Sequence, residues 1–462
     1  MLDKIKGKRV LVLGLSKSGR AAVRLLIKAG AASIVANDCK QLDLLQKEME
    51  EFSAYPQVEI EGGGHPLTLL EGVSLIIKSP GINPELPFLK YAHKKGISVY
   101  SEIELAYSFC PAPIVGITGT NGKTTTTSLA GEMYRRQYSG VHVAGNIGFP
   151  LCRAVEEASE GDIIVAELSS FQLEDTDKFK VHIAAVLNIT ADHLDYHRSI
   201  DNYIAAKRKI LANQGEEDWV VLNWDDRQTR LFRKYARGKV LPFSRKEELN
   251  PGVCIRDDRI VINDNTGVYN ICSVEDVKIP GLHNLENALA AAGLAWAGGV
   301  QVENIAQTLK SFPGVPHRIE DVAVIFGVKF INDSKGTNPD AALNALKAVR
   351  GPKILIAGGK NKGSDFQPFV KALGKESVKG LILLGETAPL LASAALEEGL
   401  NNVELAADIE EAVLKAFSSA SPGDTVLLSP ACASWDMFQN YEQRGEAFKS
   451  AVYSLKEGLE KG

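Results

Sequence analysis

A chain of 462 residues is too long for one ordinary hydrophobic core and predicts about three domains. With 45% hydrophobic and 24% charged residues it has an ordinary globular composition, and a net charge of −5 (52 basic against 57 acidic residues) points away from nucleic acid or a membrane surface as the main partner. No apolar run approaches the roughly 20 residues of a membrane span, the first residues lack a signal-peptide core, and the six scattered cysteines include no C-x-x-C pair, so a reduced, cytoplasmic protein is expected.

The segment 8–13 predicts a strand, followed by Gly14-Leu-Ser-Lys-Ser-Gly19 and an amphipathic helix to Ala29. A second strand, 33–36, ends at Asn37-Asp38. An acidic residue about 20 positions beyond a glycine turn belongs to the dinucleotide fingerprint, but the strict G-x-G-x-x-G is not met here. NAD and another nucleotide or phosphate ligand both stay open. Strands 73–78, running into Ser79-Pro-Gly81, and 97–100 complete a small Rossmann-like unit.

Cys110-Pro-Ala-Pro113 is a hinge candidate. Beyond it the β-branched run 114–117 predicts a buried parallel strand, then Gly119 and Gly122 bracket a turn that leads into Lys123, Thr124, Thr125 and a helix over 128–136. Such a turn lets backbone N–H groups converge on phosphate oxygens, while the Lys pairs a phosphate and the Thr hydroxyl can hold Mg²⁺. The general G-x-x-x-x-G-K-[ST] pattern asks for a glycine where Ile117 stands, so a plain glycine-rich turn is the alternative. Glu167 ends the apolar strand 162–167, where ligands collect in open α/β sheets; it can serve a cation or simply cap a helix.

After strand 183–187, His193 and His197 stand four apart, a spacing that suits a metal on a helix face, though no third ligand is evident and His197 can equally be a surface residue. In the helix 200–211, Lys207-Arg-Lys209 taken alone is a solvated basic face. Residues 215–280 carry turn signals and short strands, as an elaborated sheet edge would. Pro280-Gly-Leu-His-Asn-Leu-Glu-Asn-Ala288 opens an Ala-rich helix with Asn284 and Asn287 in its first turn, where capping explains one of them. Beyond Phe312-Pro-Gly-Val-Pro-His-Arg-Ile319, strands 328–332, 353–357, 381–384, 403–406 and 425–428 alternate with helices and run into polar or glycine turns, predicting a second Rossmann-like domain.

Gly119-Thr-Asn-Gly-Lys-Thr-Thr125 resembles the ATP loop of the Mur ligases, the ATP-dependent amide-forming enzymes of peptidoglycan synthesis. Further strings extend the likeness: Ser79-Pro-Gly-Ile82, Glu167-x-Ser-Ser-x-Gln172, Asn188-x-Thr-x-Asp-His-Leu-Asp195, Ala206-Lys207, Asn332-Asp-Ser-Lys-x-Thr-Asn338, Gly358-Gly-x-x-Lys-x-x-Asp-Phe366 and Ser429-Pro-Ala-Cys-Ala-Ser-x-Asp436. The resemblance implies an α/β chain of three domains: a UDP-sugar-binding Rossmann-like domain at 1–108, a central P-loop ATP domain at 109–313 and a C-terminal Rossmann-like domain at 314–462. It implies an ATP-dependent ligase of the branch that adds D-glutamate to UDP-N-acetylmuramoyl-L-alanine, working in the cytoplasm as a monomer.

By the same resemblance, ATP is held by Gly119, Thr120, Asn121, Gly122, Lys123, Thr124, Thr125, Asn284, Asn287, Arg318 and Asp333. Two Mg²⁺ ions fall to Thr124, Glu167, His193 and a carbamoylated Lys207, and the catalytic set is Lys123, Glu167, His193 and Lys207. The UDP-sugar is assigned to Leu15, Ser16, Asp38, Ser79, Gly81 and Asn146, and D-glutamate to Lys335, Thr337, Lys362, Ser434 and Tyr441. A sister ligase, an NAD-dependent dehydrogenase and a non-catalytic nucleotide switch are the competing readings.

Overall fold

Residues 1–361 and 363–461 are described by a computed structural model in which short aliphatic runs become the strands of three sheets. The first sheet contains β1 (Arg9–Leu13), β2 (Ser33–Asn37), β3 (Val58–Glu61), β4 (Val73–Lys78) and β5 (Ser98–Ser101) in the order β3-β2-β1-β4-β5, all parallel. Val10 to Leu13 are wholly buried, which is why this run is continuously apolar rather than alternating. The direction of the strand order reverses between β1 and β4, and in such sheets that crevice receives ligands. Strand β3 was not foreseen: Val-Glu-Ile-Glu lies at the sheet edge, half exposed and too polar to read as a core strand.

The central sheet has nine strands: β6 (Ile114–Thr118), β7 (Val141–Gly145), β8 (Ile163–Glu167), β9 (Ile183–Val186), β10 (Trp219–Asn223), β11 (Lys239–Ser244), β12 (Gly252–Arg256), β13 (Arg259–Asn263) and β14 (Val268–Ser273). They run β14-β13-β12-β11-β10-β9-β6-β8-β7, so residues 215–280 do extend the sheet to one edge, where β12, β13 and β14 turn antiparallel. Strand β6 lies between β8 and β9, which brings the turns after all three to one place.

The third sheet orders β15 (Glu320–Ile325), β16 (Val328–Asn332), β17 (Lys353–Gly358), β18 (Val378–Leu384), β19 (Val403–Leu405) and β20 (Thr425–Leu428) as β15-β16-β20-β17-β18-β19. Only the missed edge strand β15 pairs antiparallel, and its residues are mostly half exposed.

By contacts the chain forms two units. One holds Met1–Ala191, Tyr196–Asp276 and Glu286–Lys310; the other holds Asp192–Asp195, Val277–Leu285 and Ser311–Gly462. Within the first unit the two sheets are fastened by buried carboxylates. Glu104 accepts hydrogen bonds from the amides of Asp177 (2.9 Å), Lys178 (2.9 Å) and Phe179 (2.8 Å), and Glu102 Oε1 accepts one from Cys152 N at 2.6 Å.

Two helices differ from expectation. The helix predicted over 128–136 starts at Lys123 (Lys123–Arg135), because Gly122 is left-handed (φ +84°) and turns the chain straight into it. The helix predicted over 200–211 is α-helical over Ile200–Arg208, capped by Ser199, and tightens to a 3₁₀ turn over Lys209–Leu211.

Candidate functional site

The loop after β6 is held from several sides. Asn121 N donates to Asn188 Oδ1 (2.8 Å) while Asn188 Nδ2 donates to Asn121 O (3.1 Å), and Thr120 Oγ1 donates to Thr190 O (3.1 Å). Lys123 curls back so that Nζ donates to Gly119 O (3.0 Å) and Thr120 O (2.8 Å). A Cβ on Gly122 would stand 2.2 Å from Asn287 Oδ1, so the turn needs glycine for room as well as for its positive φ. Asn287 also accepts from Thr126 Oγ1 at 3.3 Å. The hydroxyl of buried Thr125 has no hydrogen-bond partner among the described residues. The left-handed Gly122 thus sets the N-terminus of the helix Lys123–Arg135 directly behind this loop, and a helix N-terminus is electropositive and suits phosphate.

Beside the loop, Thr124 Oγ1 donates to Glu167 Oε2 (2.8 Å) and Asn146 Nδ2 donates to Glu167 Oε1 (2.9 Å), with Glu167 buried. Asn146, expected on the UDP-sugar, therefore has its amide on Glu167. Among the described residues no three His, Cys, Asp or Glu side chains converge as a metal cluster. Thr124 and Glu167 fit instead the sparse hard-oxygen set of Mg²⁺, which keeps waters and nucleotide phosphates as its other ligands.

Lys207 is 1% exposed, its Nζ 2.7 Å from Gly119 O and 4.5 Å from the Tyr203 ring centroid. The solvated basic face read from sequence fails at this position. Its neighbours behave differently: Arg208 stacks over Tyr235 at 4.3 Å, and Lys209 Nζ donates to the carbonyls of Glu174 and Thr176. A cavity of about 540 Å³ opens beside this helix, lined by Arg208, Lys209, Tyr235 and Arg237 among others, and none of the predicted site residues lines it.

The two histidines do not form an i, i+4 pair. His193 precedes the short helix Leu194–His197 with φ +54°, and its Nε2 lies 3.5 Å from Asp192 Oδ2. His197 is no surface residue: it is buried, its Nε2 2.9 Å from Ser170 Oγ and its ring stacked on Phe171.

In the first sheet the turns after β1 and β4 meet. Ser79 Oγ donates to Gly14 O at 2.9 Å, and a Cβ on Gly19 would fall 1.7 Å from that oxygen. Asp38 accepts from Leu15 N (2.8 Å) and Lys40 N (3.1 Å); burial alone would raise its carboxyl, but these amides outweigh it and lower the pKa. Ser16 forms the N-cap of helix Lys17–Lys28, and a Cβ on Gly81 would meet nothing within 4 Å.

In the third sheet, Asp333 after β16 accepts from Ser429 Oγ (2.7 Å), after β20, and from Ile319 N (3.3 Å). Burial pushes this carboxyl up to about 6 against the lowering effect of Arg318. Arg318 Nε is buried without a hydrogen-bond partner among the described residues. Lys335 Nζ donates to Tyr441 OH (2.9 Å), Thr337 N to Lys335 O (2.9 Å), and Ser434 is buried in the loop after β20. Lys362 lies outside the described residues. Asn284 Nδ2 donates back to Pro280 O at 2.7 Å in the turn before its helix.

Arg444 was missed. It is buried, donates from Nε to Ser334 Oγ (3.0 Å) and from Nη2 to Ser334 O (2.8 Å), and burial lowers its pKa to about 10. It lies in the helix Tyr441–Lys461, and nothing in the local pattern marks it; its partners, Ser334 far upstream and the Cys432 carbonyl (3.2 Å) in the loop after β20, do.

Strand, glycine turn, lysine and threonine, with a Rossmann-like sheet before them in the chain and another after, define a three-domain nucleotide-binding α/β protein of the P-loop kind. Three family models match in chain order: the Mur ligase MurD-like N-terminal domain over residues 8–101, the Mur ligase middle domain over 117–295 and the Mur ligase glutamate ligase domain over 317–432. UDP-N-acetylmuramoylalanine–D-glutamate ligases are similar along nearly the whole chain. That of Thermoanaerobacter pseudethanolicus is 49% identical, covering 98% of this chain and 99% of the relative. That of Clostridioides difficile is 42% identical, covering 98% and 100%. Among solved structures, the MurC ligase of Thermotoga maritima superposes with a TM-score of 0.60 at 17% identity, covering 97% of this chain and 100% of that one, a likeness of fold. The chain belongs to the Mur ligase family.

Proposed function

We infer that this chain is an ATP-dependent ligase that joins D-glutamate to UDP-N-acetylmuramoyl-L-alanine, acting as a monomer in the cytoplasm. The names of its close relatives support the substrates, and both ATP and a UDP-linked sugar are cytoplasmic metabolites. The observation that carries the chemistry is the pairing of Thr124 with Glu167 beside a phosphate loop whose Gly119 carbonyl is bonded by buried Lys207. Every residue assigned a role belongs to one chain, so a single copy suffices. The domains divide the work as residues 1–108 for the UDP-sugar, 109–313 for ATP and 314–462 for D-glutamate and part of ATP.

The alanyl carboxylate attacks the γ-phosphorus of ATP, the bond to the β–γ bridging oxygen breaks, and ADP leaves with that electron pair. The D-glutamate amine then attacks the acyl phosphate carbonyl, loses a proton, and inorganic phosphate departs. Positioning and charge neutralisation supply most of the rate. Lys123 and the amides of the 119–122 turn hold the phosphates, with Asn284, Asn287, Arg318 and Asp333 on the rest of ATP. Two Mg²⁺ ions, held through Thr124, Glu167, His193 and a carbamoylated Lys207, would offset the charge that gathers as one anion meets another. In this reading the UDP-sugar is assigned to Leu15, Ser16, Asp38, Ser79, Gly81 and Asn146, and the two glutamate carboxylates to Lys335, Thr337, Lys362, Ser434 and Tyr441.

The test is phosphate release from ATP with each substrate omitted in turn. Turnover should need both UDP-N-acetylmuramoyl-L-alanine and D-glutamate, because a site built for two carboxylates leaves a polar group orphaned when one is missing, at about 1–3 kcal/mol each. Equal rates with D-alanine or a diamino acid would make this a sister ligase. Lys123→Ala should lose on the order of 10³-fold in turnover.

A further inference from the structure

Lys78 is the last residue of β4 and is 1% exposed, yet neither a metal nor a phosphate role falls to it. Its Nζ makes three contacts: Ile82 O at 2.9 Å, Tyr196 OH at 3.1 Å and Asp175 Oδ2 at 2.7 Å. Burying an ammonium is costly unless it is paired and hydrogen-bonded, so so complete a set of partners on a lysine marks a designed junction rather than an accident of packing.

The three partners belong to different parts of the first unit. Ile82 closes the loop that begins at Ser79, with Ile82 N donating to Ser79 O at 3.1 Å. The other end of that loop is fastened by Ser79 Oγ to the Gly14 turn. Asp175 caps the C-terminus of the helix Ser170–Glu174, which begins three residues after Glu167. Tyr196 stands just before Ser199, the N-cap of the helix that carries Lys207. One ammonium therefore sets the 79–82 loop against the two segments that lead to Glu167 and to Lys207.

We propose that Lys78 is a positioning residue for the sugar-nucleotide substrate: it holds the 79–82 loop in register with the phosphate loop. Its contribution falls on binding of the UDP-linked substrate rather than on the chemical step. This inference rests on the function proposed above, in which that loop meets the UDP-sugar. The titratable groups facing the ammonium are Asp175, Tyr196 and, next along the chain, Glu174, so removing it leaves a partly buried carboxylate uncompensated.

Steady-state kinetics of Lys78→Met, Lys78→Arg, Asp175→Asn and Tyr196→Phe test the idea. For Lys78→Met the KM for UDP-N-acetylmuramoyl-L-alanine should rise about tenfold or more, the loss expected of a hydrogen bond from a charged group, while KM for ATP and kcat change little. Lys78→Arg should recover part of that rise by restoring a cation to Asp175. Tyr196→Phe deletes one hydroxyl and should raise the same KM by a smaller factor; it carries the test alone if Lys78→Met fails to fold. A merely structural lysine would lower Tm and the active fraction, hence kcat, with KM unchanged, and that result overturns the proposal. Calorimetric binding of the UDP-substrate to the wild-type protein separates the two inferences. No binding there sinks the proposed function, whereas normal wild-type binding with an unaltered KM in all four variants sinks only the role of Lys78.

Discussion

A lysine in the last turn of a helix, followed by Arg and Lys, has no local feature that distinguishes it from a solvated cation. Its setting does. Lys207 is buried against Gly119 and Tyr203, whereas Arg208 and Lys209 turn to Tyr235 and to the carbonyls that end the helix Ser170–Glu174. A solvated cation would make Lys207→Ala nearly silent, within about 0.5 kcal/mol; burial makes that outcome untenable. Activity of Lys207→Ala should collapse while Lys209→Ala stays active. Added formate or acetate should restore part of the rate by supplying the oxygens of a lost carbamate. Restoration by methylamine instead would mean that Lys207 acts as a plain cation on the Gly119 carbonyl.

At the scale of an element, the helix Glu102–Tyr107 carries two buried acids with different partners. Glu104 accepts three backbone amides. Glu102 accepts the Cys152 amide, while its Oε2 is buried without a hydrogen-bond partner among the described residues, and burial pushes its pKa up from 4.5 to about 7. The folded chain therefore keeps a proton that the unfolded chain releases. Stability from this group is intact below about pH 4.5 and falls as the pH rises towards 7. Glu102→Gln keeps the acceptor for Cys152 and should flatten that slope, so denaturant midpoints of variant and wild type should converge at pH 4.5 and part, with the variant more stable, by pH 7 to 8. Parallel curves across that range would mean the carboxyl titrates normally.

Across the whole molecule, each sheet delivers its polar turns at the carboxyl ends of its strands: Gly14 and Ser79 in the first, Gly119 and Glu167 in the second, Asp333 and Ser429 in the third. Nucleotide binding should therefore stabilise the folded chain by linkage. ADP with Mg²⁺ at about 100 times its Kd adds ~2.7 kcal/mol to unfolding. The shift should vanish with EDTA or in Lys123→Ala, and NAD at the same concentration should produce none. A shift with NAD alone would return the first sheet to the dinucleotide reading.

The sequence by itself determined the three-sheet α/β architecture and the phosphate loop. Buried parallel strands must be continuously apolar, and a loop that cradles phosphate must place glycine, lysine and threonine within a few neighbouring positions. The edge strands β3 and β15 were not legible, since one face of an edge strand meets solvent and its residues look like loop. Tertiary structure alone decided which charged groups are buried and with whom. Nothing near Lys78, Lys207 or Arg444 in the chain announces burial, because the groups that satisfy them, among them Asp175, Gly119 and Ser334, lie 88 to 110 residues away or on separate helices and turns. A buried charge is permitted only by such distant partners, and the fold is what brings them within hydrogen-bond reach.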